Sequence, residues 1–183
     1  MQKNGNINNI KEIKFSEETR EFKTGAHRGG GNKYPMEYLP LVEATKILKV
    51  AKSLPHYNEE EGYAKICKNI EEFKKTGNPD LIAEVGAIFG ILNYENMFEC
   101  LGQTALHFKQ GADKYGINNW QLGMPLMDYV GSLSRHLIKV IEKWDDEPHQ
   151  TAFMWNVLTI MWTTVNLPEM NNLPIKNNEK VNS

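Results

Sequence analysis

Apolar residues through the middle of this chain recur three or four positions apart rather than alternating. From Leu39 onward Val42, Ile47, Leu48 and Val50 mark a first helical segment, and Tyr63, Ile66, Ile70 and Phe73, three and four positions apart, a second. This spacing gathers side chains on one face of an α-helix. Thr76-Gly77-Asn78-Pro79 reads as a helix stop followed by a start, and opens a third segment over about 79–114. Gly86, Gly90 and Gly102 lie within it. Each costs about 1 kcal/mol against Ala in a helix interior, so the segment is expected to be broken or closely packed. Tyr115-Gly116 and Asn118-Asn119 mark its end. A fourth helix is predicted over 125–144 and a fifth over 148–165, each opened by a Pro, which suits a helix's first turn. Nothing reads as a sheet, and the predicted fold is all-α, a compact bundle of about five helices.

The two ends are different in character. Residues 1–20 and 168–183 are Asn-rich and poor in large apolar side chains, so they are expected to be flexible polar arms flanking a single domain over 21–167. Residues 24–34 form a Gly-rich basic stretch, Thr24-Gly25-Ala26-His27-Arg28-Gly29-Gly30-Gly31-Asn32-Lys33-Tyr34, with neither helical nor strand periodicity. It is expected to be a loop.

Composition narrows the function classes. A formal net charge of −2 supplies no basic surplus for a duplex backbone, which leaves a local pocket for a small anion as the expected electrostatic feature. Cys67 and Cys100 are the only cysteines and lack ligand spacing. Both are expected to be buried thiols in a reducing compartment rather than a disulfide or a zinc site. No apolar stretch is long enough to span a bilayer and residues 1–20 contain no secretory h-region, so a cytoplasmic protein is expected.

The fourth predicted helix carries an apolar stripe, Leu126, Val130, Leu133, Leu137, Ile141 and Trp144, and a polar face of Asp128, Ser132, Arg135 and Lys139 flanked by His136. A solvated polar face is the ordinary reading; a carboxylate, hydroxyl, cations and imidazole held together is the chemical one. At the start of the fifth helix stands Asp145-Asp146-Glu147. Acids there serve equally well as helix caps or, with His149 three residues after Asp146, as oxygen and nitrogen ligands for a divalent ion. Asn156 interrupts an apolar run and is either a satisfied core amide or one that reads a ligand. The Gly-rich stretch lacks the Gly-Lys-Ser/Thr ending of a P-loop, no His-Asp dipeptide occurs, and the His-x-Glu and Cys-x-x-Cys elements of zinc deaminases are missing.

Several segments in order carry a resemblance. They are Glu21-Phe22-Lys23-Thr24-Gly25-Ala26 with Arg28, Tyr38-Leu39-Pro40, Gly111-Ala112-Asp113-Lys114-Tyr115-Gly116, Asn119-Trp120, Gly123, Ser132, Arg135-His136-Leu137, Asp146-Glu147-Pro148-His149 and Trp155-Asn156. The set resembles the amino-terminal domain of phage dATP/dGTP diphosphohydrolases, all-α proteins similar to MazG-type nucleotide pyrophosphohydrolases. The resemblance implies hydrolysis of purine deoxynucleoside triphosphates to monophosphate and pyrophosphate, assisted by Mg²⁺ or Mn²⁺, in a homo-oligomer that modulates nucleotide pools in a phage-infected cell. By the same resemblance Asp146, His149 and Asp128 would hold metal, and Glu147, His136 and Arg135 would be catalytic. Thr24, Gly25, Arg28, Lys33, Lys114, Tyr115, Asn119, Trp120, Ser132 and Asn156 would bind substrate.

The chain departs from that pattern twice. Gly131 stands directly before Ser132, where the family commonly has an acid, which favours a sequestering nucleotide-binding protein as a second expectation. Residues 54–106 exceed the family's short connection and are expected to be a helical insertion; Glu84, Glu95 and Glu99 lie there, the last two spaced to replace the missing acid. A third expectation is a phage structural or interaction protein whose arms fold on a partner.

Overall fold

A computed structural model of the chain describes residues 19–21, 23–29 and 33–174. The expected N-terminal arm up to residue 18, part of the Gly-rich stretch (30–32) and the last nine residues lie outside them. The chain divides into two units, 1–34 and 35–183.

In the first unit β1 (Thr19–Glu21) pairs antiparallel with β2 (His27–Gly29), Arg20 opposite Arg28. The turn contains Gly25 at φ +80°, a left-handed conformation that favours glycine. Part of the stretch expected to be a loop is therefore a strand: its pairing is set by the turn rather than by an alternating pattern, which three residues are too few to show.

Among its described residues the second unit holds six α-helices: α1 (Leu41–Ala51), α2 (Glu59–Thr76), α3 (Pro79–Asn93), α4 (Met97–Tyr115), α5 (Leu126–Ile141) and α6 (His149–Asn166). The predicted third segment is both broken and closely packed. Asn96 ends the break by accepting from the Glu99 N–H at 2.9 Å, an N-cap that starts α4. Gly86 lets α3 approach its neighbours, since a Cβ there would lie 2.7 Å from Val157 Cγ1 and 3.1 Å from Ile47 Cδ1. The stop and start at 76–79 are built as the sequence suggests: Gly77 at φ 68° closes α2, Asn78 caps α3 and Pro79 is its first residue.

Helix α6 packs against α5, α3, α4 and α1, and α3 against α2, α6 and α1. These two helices are accordingly apolar nearly all round, α3 burying Ile82 to Gly90 apart from Glu84 and α6 burying Phe153, Met154, Val157, Leu158, Ile160 and Met161. Helix α5 keeps one apolar face, with Leu126, Tyr129, Val130, Leu133 and Leu137 buried. The expected stripe stops there: Ile141 and Trp144 are exposed, Trp144 lying beyond the helix end with the Lys139 ammonium 5.1 Å from its ring centroid. Cys100 is buried, which pushes its thiol up to about 12, whereas Cys67, also expected inside, is exposed on α2.

Residues 168–174, expected to begin a flexible tail, are attached to the bundle. Pro168–Met170 form a 3₁₀ turn, Leu173 is buried, and Asn172 Oδ1 accepts from the Met127 N–H at 2.9 Å. Pro125 has no side-chain oxygen to cap α5, so Asn172 supplies one from 45 residues away. Among the described residues no helix is long and apolar enough to cross a membrane.

Candidate functional site

The turn between α5 and α6 gathers the polar residues. His149 is the first residue of α6 and only 3% exposed. Its Nε2 lies 2.7 Å from Asp146 Oδ1, and Asp146 Oδ2 takes a bond from Lys139 Nζ at 2.8 Å. An ionised carboxylate only accepts, so His149 Nε2 carries the proton and its Nδ1 presents a lone pair. That Nδ1 faces His136 Nδ1 of α5 at 3.0 Å and Glu147 Oε1 at 3.3 Å. Glu147 Oε1 is also 3.6 Å from His136 Nδ1.

The acids do not cap α6 through their side chains, as one reading of the sequence has it. They organise the imidazoles instead. Hydrogen bonds from Lys139, then from His149, hold the Asp146 carboxyl down at about 2. Burial lowers the His136 pKa, Glu147 opposing and His149 adding to the shift, so its neutral form is favoured.

His136, Glu147 and His149 each offer one ligand atom within 4.8 Å of the others, a group that could hold a metal ion. Two imidazole nitrogens and one carboxylate oxygen suit a first-row transition ion better than Mg²⁺, which seeks oxygen ligands. A proton on His136 Nδ1 donated to His149 Nδ1 satisfies the same atoms without a metal.

His136 and Glu147 also line a cavity of about 740 Å³ between α4, α5, α6 and the 3₁₀ turn Asn119–Leu122. Lys114, Tyr115, Asn119, Trp120, Ser132 and Asn156 from the expected substrate-binding set line it too. Its aromatic wall is continuous: Phe108 meets Trp120 edge-on at 5.3 Å between centroids, and Trp155 lies 5.9 Å from both Phe108 and Tyr129.

Other expected site residues stand elsewhere. Asp128 is exposed in the first turn of α5, eight residues before His136 and so about 12 Å along the axis; the helix holds it too far off to join the donor group. Asp146 sits behind His149 as its hydrogen-bond acceptor rather than in the three-atom group. Arg135 is exposed and absent from the cavity lining, its guanidinium 3.5 Å from where a Cβ on Gly131 would lie. Thr24, Gly25, Arg28 and Lys33 belong to the first unit. Of the acids in 54–106, Glu84 pairs with Lys65 at 3.2 Å and Asn69 at 2.9 Å, and Glu95 and Glu99 line no part of the cavity.

Sequence reasoning passed over His107, Phe108 and Tyr129, and quoted Trp155 only within the resemblance, with no role. A lone His on the apolar α4 reads as core, and its only sequence signal is its position four residues before Gly111 in the Gly-Ala-Asp-Lys-Tyr-Gly segment. In the fold His107 lines the cavity, its pKa is lowered by burial, and its Nδ1 is buried without a hydrogen-bond partner.

A family model described as dATP/dGTP diphosphohydrolase, N-terminal, matches residues 74–172. The match begins at the end of α2 and includes α3 and α4, most of what was expected to be an insertion. The chain matches no curated protein and no solved structure.

Proposed function

The chain belongs to the dATP/dGTP diphosphohydrolase N-terminal family, and on that premise we propose that it hydrolyses purine deoxynucleoside triphosphates to monophosphate and pyrophosphate. The observation that carries this reading is the convergence of His136 Nδ1, His149 Nδ1 and a Glu147 carboxylate oxygen beside an aromatic cavity that also contains Lys114. One end binds cation and phosphate, the other a flat ring.

His136, Glu147 and His149 would hold Mn²⁺, which when bound neutralises phosphate charge and lowers the pKa of a water. Asp146 keeps His149 in the tautomer that turns its lone pair toward the group, and Lys139 keeps Asp146 ionised and in place. Lys114 supplies a mobile point charge for phosphate oxygens, its ammonium now 4.7 Å from the Tyr115 ring centroid. Asn119 and Ser132 supply neutral polar contacts at the cavity wall. A homo-oligomeric state and a role in the nucleotide pools of an infected cell belong to the same proposal; the exposed apolar side chains of Ile138 and Ile141 on α5 support the former.

The test is incubation of the purified chain with each dNTP and Mn²⁺ or Mg²⁺, products resolved by chromatography, with a His136→Ala, His149→Ala double variant in parallel. Monophosphate and pyrophosphate formed with Mn²⁺ and lost in the variant are the expected result. Intact nucleotide recovered with the protein instead establishes the sequestering reading, which the missing acid at Gly131 favours.

A further inference from the structure

The amide of Asn156 is half satisfied. The residue is 2% exposed in the middle of α6, and its Nδ2 donates to the Ala152 carbonyl at 2.8 Å. A carbonyl only accepts, so the amide's orientation is fixed with the nitrogen toward the helix and Oδ1 on the other side. That Oδ1 is buried and has no hydrogen-bond partner, although Asn156 lines the cavity. A buried acceptor left unpaired is costly, and a ligand that donates to it removes the cost.

Its surroundings narrow the ligand to a flat ring. Trp155, Tyr129, Phe108 and Trp120 wall the same cavity, and His107 contributes a second buried and unpartnered polar atom. An apolar ring would leave both polar atoms orphaned.

We propose that Asn156 is the specificity-determining residue of the cavity and that its Oδ1 accepts from an amino or N–H donor on the edge of a base held against the aromatic wall. This rests on the reading of the cavity as a nucleotide site and deepens it: the site selects the base by a donor group as well as by its size. His107 of α4 also lines this cavity.

The experiment compares dAMP with purine 2′-deoxyriboside monophosphate, which differs only in lacking the 6-amino group, and includes dGMP, whose edge carries both N1–H and an amino group. Binding is read by quenching of tryptophan fluorescence, since Trp120 and Trp155 line the cavity. The expected result is binding of dAMP and dGMP with about tenfold or greater weakening for the purine analogue. Asn156→Leu, checked for an unchanged melting temperature, is expected to bind dAMP and the analogue equally. If the wild-type chain itself binds dAMP and the analogue equally, the proposal is overturned while the nucleotide-site reading stands. If no nucleotide quenches the fluorescence and none is hydrolysed, both fall. The wild-type comparison decides the matter even where the variant does not fold.

Discussion

At the residue scale, orientation and ligation separate at Asp146. In Asp146→Asn the side chain still reaches His149 Nε2 but no longer brings the charge that fixes the imidazole's tautomer. Affinity for Mn²⁺ is expected to fall about 10–100-fold, read by titration calorimetry. His107 gives a second test, through pH. Burial holds its folded pKa below the ordinary 6.5, so the unfolded chain binds more protons as pH falls below that value. Stability contributed by the neutral form is therefore present above about pH 6.5 and lost as pH falls through the depressed folded value. Melting temperature should drop between pH 7.5 and 5.5, and by less in His107→Gln; equal drops in the two chains would contradict this. The residues around the α5–α6 turn were legible because their spacing and chemistry are unusual together. His107 was not legible, because what distinguishes it is an unpaired nitrogen, a property of the cavity.

At the scale of elements, two glycines inside helices have opposite meanings. Gly131 lies within α5, where a Cβ would meet only the tip of Arg135 at 3.5 Å, ordinary contact with a flexible group. Gly131→Ala is expected to stabilise the fold by about 0.5–1 kcal/mol through helix propensity. At Gly86 the same change drives a Cβ into Val157 and Ile47, and overpacking of about 1–3 kcal/mol outweighs that gain. Denaturant midpoints of the two variants should move in opposite directions. Helix propensity assigns both glycines the same cost, because propensity is local while the approach of α3 to α6 is not. Caps were easier: Gly77, Asn78 and Pro79 act through their own backbone. The break before α4 was half legible, its three glycines suggesting it and Asn96 placing it.

For the whole molecule, the C-terminal segment completes a helix that begins in the middle of the chain. Asn172→Ala removes the cap on Met127 and is expected to cost about 1 kcal/mol, measured as a lower denaturant midpoint with unchanged slope. No local pattern could show this, since the donor and acceptor lie 45 residues apart. The all-α class was legible from periodicity; the central placement of α3 and α6 was not, because it depends on which helices pack against them.

Because α6 carries His149 at its first residue and Asn156 seven positions later on the same face, the helix acts as a ruler. The two ends of the site are spaced by its rise, about 10 Å, and no loop movement alters that gauge. A ligand that fills only one end forgoes the other. One residue inserted between His149 and Asn156 would turn the amide about 100° away from the cavity, so in the proposed site the distance a substrate would have to span is set by the backbone of a single helix.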